Sequence, residues 1–237
     1  KGDSLGGLVK LAAVPIAKQE LTKVIQYMER KLIREGVEIR LNCEVTEEML
    51  KNEFAGYEVI AGTGADPIVV NAFTAFKHCV TADDILAGKA FAGRKVVVIG
   101  GGSVGCETAD YLAPFVNDLF PRNRESSCWR WQTDHAPGIC PGRSLLTQRM
   151  MKKGIQIHCK AKVEKVEAEK IYYTENGEEH CISDADTLVL AMGYLPDSKL
   201  EETLQKANVS YHLIGDAKKV GNIKDAITEG YQIAREI

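Results

Sequence analysis

Residues 94–112 constrain this chain more than any other stretch. Arg94 and Lys95 lead into four β-branched residues, Val96, Val97, Val98 and Ile99, and then into Gly100, Gly101, Gly102, Ser103, Val104 and Gly105. A β-branched run bounded by glycine reads as a buried strand. The residues from Cys106 to Leu112 read as a helix, with Ala109 four positions after Gly105. Strand, G-x-G-x-x-G turn and helix start together form a cradle for a dinucleotide pyrophosphate. Gly100 permits the tight turn, Gly102 lets the backbone approach the phosphates, and Gly105 lets the helix pack close to the strand, while the helix N-terminus faces the anion. All six residues from Gly100 to Gly105 are candidate cofactor-binding positions.

The rest of the chain sets limits on that reading. Its 237 residues can bury a sizeable core, as one large or two small domains. A formal net charge of −3 argues against a general nucleic-acid binder, and no apolar run approaches the ~20 residues of a membrane span. None of the seven cysteines forms C-x-x-C. A disulfide framework, a zinc site and a thioredoxin-like redox pair are therefore not expected, and reduced cysteines in a cytoplasmic protein are. The histidines lack metal spacing. The adjacent pair His78–Cys79 is read as structural, because neighbours on an extended chain point apart. The chain begins at Lys1 and opens on a loop with Gly6 and Gly7, so it is expected to be a piece of something longer.

In order, residues 18–35 carry apolar positions at helical spacing and end at Gly36. Residues 37–41 alternate as a strand, 46–50 begin a short helix, and 57–61 form a buried strand that runs into Gly62, Thr63 and Gly64. Residues 73–91 read as a connector in which 81–86 begin a short helix. The helix after Gly105 should stop near Pro114. Residues 144–153 read as a helix and 155–159 as a strand. Residues 163–182 read as a small antiparallel set turning at Asn176-Gly177, and 187–191 as a buried strand running into Gly193. A short strand ends in Gly215-Asp216, and a final helix spans 223–237.

Four of these stretches taken together resemble a known family: Leu5-Gly6-Gly7, Gly62-Thr63-Gly64 before Pro67, the G-x-G-x-x-G unit, and Ile214-Gly215-Asp216 followed by the last helix. They are similar to the C-terminal FAD/NAD(P)-binding part of the NADH:flavin oxidoreductases of the 2,4-dienoyl-CoA reductase, 2-enoate reductase and trimethylamine dehydrogenase type. The resemblance implies an α/β, Rossmann-like fold in which an NAD(P) domain, residues 83–193, is inserted in a truncated FAD domain made of residues 1–82 and 194–237. It further implies that Asp216, Gly215 and the helix start at Ile223 hold FAD, and that Gly6, Gly7, Thr63 and Gly64 line the same cofactor. Gly193 joins the nucleotide residues. Three departures stand out. The FAD domain's own opening G-x-G-x-x-G is absent. So are the family's FMN-binding barrel and its cysteine cluster for a 4Fe–4S centre, which makes a barrel domain of the same enzyme the expected partner. Third, the carboxylate that reads the ribose is not where it should be.

That acid is expected about 20 residues past the glycines, at the end of the next strand. Glu125 has the spacing, but residues 117–142 are polar, carry three prolines and show no apolar strand. An overlapping reading frame over Cys128–Gln132 can spell Leu-Glu-Met-Ala, so a local frameshift is one reading, with a ribose-binding Glu near Arg130. A divergent loop is the other. If Arg122, Arg124 or Arg130 is native, it favours a 2′-phosphate and hence NADP over NAD.

Three functions are to be distinguished. The first is an electron-transfer module passing hydride from NAD(P)H to FAD, with no acid or base required of the protein. The second is a non-catalytic module holding ADP. The third, a disulfide reductase, lacks its C-x-x-C. An uncovered sheet edge would also allow the chain to form a homo-oligomer. For the irregular stretch, peptide sequencing across 126–132 decides between the two readings: Leu-Glu-Met-Ala would establish the frameshift, and recovery of both Trp129 and Trp131 would remove it.

Overall fold

The computed structural model describes residues 2–113, 125–129 and 145–237. In chain order the elements are α1 Leu8–Ala12, α2 Leu21–Arg34, α3 Glu47–Lys51, β1 Val59–Ala61, β2 Ala65–Pro67, β3 Cys79–Thr81, α4 Ala82–Leu86, β4 Lys95–Ile99 and α5 Ser103–Leu112. They continue as β5 Glu125–Trp129, α6 Leu145–Lys152, β6 Gln156–His158, β7 Lys162–Val166, β8 Ile171–Glu175, β9 Glu178–Ile182, β10 Thr187–Leu190, β11 Tyr194–Pro196, α7 Lys199–Ala207, β12 Tyr211–Leu213 and α8 Ile223–Glu236. Contacts divide the chain into two compact units. Leu11–Gln19 and Pro67–Gly193 make one; Lys1–Lys10, Glu20–Asp66 and Tyr194–Ile237 make the other.

The first of these units is built on a parallel sheet with strand order β3-β10-β4-β5-β6. β4 is buried on both faces, as its unbroken β-branched run requires. Val97 and Ile99 pack toward the antiparallel β7-β8-β9 sheet, against Val163, Val166, Ile171 and Tyr173. Val96 and Val98 point the other way, onto Ala109 and Leu112 of α5 and Met150 of α6. The hairpin between β8 and β9 turns at Asn176 and Gly177, both at positive φ (53° and 87°), the conformation that Asn-Gly favours.

Three expectations change. β5 is a strand, paired in parallel with β4 and β6, although its sequence is polar; neighbours on both sides supply hydrogen bonds that its composition does not advertise. Residues 37–41 alternate but belong to no strand, and Val37 and Leu41 are 49% and 44% exposed. Alternation encodes two faces, not a partner to pair with. The strand over 57–61 is β1, but only Ala61 in it is buried. Five elements have no counterpart in the sequence pattern: α1, β2, β3 within the expected connector, β11 and α7. Of the irregular stretch, residues 130–132 lie outside the described residues, as do Arg122 and Arg124.

The second unit contains the parallel pair β1–β12 and a small core of Leu50, Ala61, Leu204 and Ala207. Thr46 caps α3 by accepting the Met49 N–H, and Asn222 with Asp225 forms a capping box on α8.

α5 and α6 are joined by a buried ion cluster. Asp110 is fully buried, with Arg149 at 2.7 Å and Lys153, 2% exposed, at 3.0 Å. Removing the carboxylate takes the counter-charge from the buried Lys153 and the partly exposed Arg149. Asp110→Ala is expected to cost about 3–5 kcal/mol of stability, measured by urea unfolding.

Candidate functional site

The glycine turn lies at the carboxyl end of β4. From β4 the chain proceeds to β5 and β6 on one side, while β10 and β3 occupy the other. Connections therefore part between β4 and β10, and such a switch point leaves a crevice outside the strand ends. Gly100 (φ +121°) enters it. A Cβ there would sit 2.0 Å from the carbonyl oxygen of Ala191, just past β10. A Cβ on Gly105 would sit 1.8 Å from the carbonyl oxygen of Gly100. Gly102 differs from both: a Cβ there meets nothing within 4 Å. Two glycines thus close the turn, and the third leaves an approach open from outside. Gly102 is the N-cap of α5 and offers no side chain to it, while its carbonyl accepts the Cys106 N–H at 3.1 Å. The first-turn N–H groups of Ser103, Val104 and Gly105 have no acceptor within the helix. Gly101 is half-buried at the same rim. Gly193 (φ +94°) follows β10 at the same edge, its carbonyl accepting the Ile68 N–H at 2.9 Å.

Glu125 stands elsewhere. The register pairs Glu125 with Lys95 and Trp129 with Ile99, so Glu125 opens β5 at the end remote from the glycine turn. Four residues of strand separate it from the edge, about 13 Å. The ribose-reading position at the carboxyl end comes after Trp129 and lies outside the described residues.

The opposite end of the sheet is closed by internal hydrogen bonds. Thr187, fully buried, accepts the Gly93 N–H at 2.9 Å and lies 3.2 Å from His78 Nδ1. Asp186 accepts the Arg94 and Lys95 N–H groups at 2.7 and 3.0 Å. Burial alone would raise the Asp186 carboxyl, but these backbone donors outweigh it and hold the group below its ordinary value. That stabilisation is present above the ordinary Asp range and is lost as pH falls through the depressed value. Burial pushes the Cys79 thiol up to about 11, which keeps it protonated and unreactive.

In the other unit, the ends of β1 and β12 bring two turns together. The Ile214 N–H donates to the Ala61 carbonyl at 3.1 Å, and Ile214 is the nearest neighbour a Cβ on Gly62 would meet. Thr63 Oγ1 donates to the Asp197 carbonyl at 3.3 Å, and Gly64 (φ +83°) accepts the Asp197 N–H at 3.1 Å. A cleft of about 350 Å³ beside Thr63 is lined by Cys43, Val45, Gly62, Asp197 and Leu200. Gly215 (φ +58°) donates its N–H to Glu229 of α8 at 2.7 Å. Asp216 spends one carboxylate oxygen on the Gly221 N–H, at 2.9 Å. Ile223 opens α8 and is 37% exposed, but the helix start already carries Asn222 and the carboxylate of Asp225. Gly6 and Gly7 (φ +109° and +47°) form the turn just before α1, and a Cβ on Gly6 would meet Ile25 of α2 at 2.9 Å. The nearest neighbours of Gly6 are Ile25 and Lys10 rather than Thr63 or Asp216.

Sequence reasoning missed Glu229, which holds the Gly215 turn, and the ion pair of Lys18 with Glu107 on α5, 2.5 Å. No local signal announces either. Among the described residues no group of three metal-ligating side chains occurs, and no helix is long and apolar enough to cross a membrane.

A parallel sheet with a glycine turn at its switch point defines a dinucleotide-binding Rossmann-type oxidoreductase fold. Residues 50–215 match the pyridine nucleotide-disulphide oxidoreductase family, and the chain belongs to it. The cinnamate reductase of Clostridium sporogenes is 32% identical over 100% of this chain and 35% of its own length. The NADH oxidase of Thermoanaerobacter brockii is 30% identical over 100% of this chain and 36% of its own. A solved 2-naphthoyl-CoA reductase superposes with a TM-score of 0.84 at 25% identity, over 100% of this chain and 35% of that one. The chain therefore spans about a third of the length of the curated relatives it matches. It is a flavin and pyridine-nucleotide oxidoreductase-type domain like those of enoate and naphthoyl-CoA reductase-like enzymes, and its family implies binding of FAD and NAD(P).

The glycines make separable predictions. Gly105→Ala must push α5 off Gly100 and is expected to lower thermal stability markedly. Gly102→Val has room for its side chain and is expected to unfold at nearly the wild-type temperature in the same circular-dichroism melt.

Proposed function

We propose that this chain passes hydride from NAD(P)H to FAD within a longer oxidoreductase, whose remaining parts carry FMN and a 4Fe–4S centre and reduce an unsaturated acyl or related substrate. The observation that carries the reading is the glycine turn: closed at Gly100 and Gly105 and open at Gly102, with helix N–H groups facing outward. The pyrophosphate fits there, where a Cβ on Gly102 would take its space. Hydride transfer is the chemistry of the nicotinamide and flavin themselves. The protein binds and orients them, and no side chain is assigned as acid or base. In this reading the unit holding β4 takes NAD(P), with Gly193 on the far side of the crevice.

The unit holding β1 and β12 takes FAD. Thr63, Gly64, Gly215 and Asp216 offer polar groups at two adjacent strand ends, and the cleft beside Thr63 would take part of the nucleotide. The fit is partial. The sequence has a single G-x-G-x-x-G, and α8 is already capped by Asn222 and Asp225. The pyrophosphate end of FAD therefore has no cradle in this unit.

Two measurements test the proposal. Calorimetry with NADH, NADPH and ADP is expected to show weak dinucleotide binding to the wild type and none to Gly102→Val. Unchanged affinity in the variant would make the turn merely structural, and binding of ADP with no gain from the nicotinamide half would favour a non-catalytic ADP module. The purified chain is also expected to be colourless between 350 and 500 nm. Each missing hydrogen bond to a charged group removes about 1.5–3 kcal/mol, and every 1.4 kcal/mol is about tenfold in affinity. A yellow preparation with stoichiometric FAD would overturn this account of the flavin half-site.

A further inference from the structure

We infer that Lys18 is a charge-compensating residue of the dinucleotide site: its ion pair with Glu107 keeps a carboxylate on α5 from opposing an anion at that helix's N-terminus. The inference rests on the proposed nucleotide site at Gly100–Gly105.

Glu107 lies four residues past Ser103, the first residue of α5. At about 1.5 Å of rise per residue, its Cα is roughly 6 Å along the axis from the helix start. Helical side chains lean toward the N-terminus, so the carboxylate reaches back toward the glycine turn. Only 14% of the Glu107 side chain is exposed, which leaves water little opportunity to screen it. A bound dinucleotide would place its pyrophosphate on the same helix end. An unpaired carboxylate there repels that anion and competes with it for the helix dipole.

The structure supplies the counter-charge from a distant part of the sequence. Leu11–Gln19 forms a strap that belongs to the same unit as α5, although the residues on either side of it belong to the other. Ala13 and Pro15 are buried in it. The Lys18 N–H donates to the Pro15 carbonyl at 3.2 Å, closing a turn in which Ala17 takes φ +67°, and Gln19 Nε2 donates to the same carbonyl at 3.3 Å. A left-handed alanine is strained where glycine would not be. The strap nevertheless holds this turn, which sets Lys18 Nζ 2.5 Å from Glu107 Oε1.

The test is NADH binding by calorimetry at fixed ionic strength, with far-UV circular dichroism to check folding. Lys18→Ala is expected to weaken binding by about tenfold, the scale of one charge acting through several ångströms of partly screened medium. Lys18→Arg is expected to stay within about threefold of wild type. The deciding variant is Lys18→Ala with Glu107→Gln, which removes both charges and is expected to recover affinity to within about threefold of wild type. A double variant as weak as Lys18→Ala would mean that Lys18 touches the phosphates or only braces the strap, and would overturn the inference. So would an unchanged Lys18→Ala. If the wild type binds no dinucleotide, the proposed nucleotide site fails first and takes this inference with it; loss confined to the lysine variants distinguishes the two.

Discussion

The approach of α5 to β4 governs the larger unit. The helix can lie where it does only because Gly105 has no Cβ, the space being filled by the carbonyl of Gly100. Gly100 in turn needs both a positive φ and the absence of a side chain, since Ala191 at the end of β10 occupies that position. One close contact thus ties together a strand, a helix and the neighbouring strand. It also leaves Gly102 with nothing to pack against. The three glycines of one motif have different physical duties: two close the turn, and the third is left open.

The two ends of the same sheet treat polar groups in opposite ways. At the amino end, Asp186 and Thr187 consume the N–H groups of residues 93–95, with His78 on the Thr187 hydroxyl, and the result is a closed, stabilising network. At the carboxyl end, the first-turn donors of α5 have no acceptor within the helix and no side-chain cap from Gly102. The faces of the sheet are covered by the β7-β8-β9 sheet on one side and by helices on the other. Among the described residues, the fully buried carboxylate is Asp110, at the joint between α5 and α6, where it meets Arg149 and Lys153. A rigid frame with one open edge is what orientation of a cofactor demands.

The unit around β1 and β12 is thinner. Its parallel sheet has two strands, and neither α2 nor α8 contains a buried residue. Tyr27, Ile33 and Tyr231 are 61%, 64% and 65% exposed. Its turns at Thr63–Gly64 and Gly215–Asp216 are nonetheless ordered by specific hydrogen bonds to Asp197, Glu229 and Gly221. Polar geometry here is set locally, by turn and helix contacts, rather than by a deep core.

What the sequence by itself determined was local: the strand, turn and helix of residues 95–112, the Asn176-Gly177 hairpin, and the α/β class that follows from buried strands alternating with helices. These are legible because φ/ψ preferences and side-chain periodicity act over a few residues. Tertiary structure decided the rest. β5 became a strand between β4 and β6 despite a polar sequence, while the alternating residues 37–41 found no sheet, because a strand exists only where neighbours accept its hydrogen bonds. The spacing that nominated Glu125 assumed a strand ending at that residue, whereas β5 begins there. Gly6 became a packing position against Ile25, and Lys18 came to lie on Glu107. Pairings between residues so far apart along the chain leave no periodic trace, since which residues meet depends on how whole elements pack, and no short window of sequence carries that information.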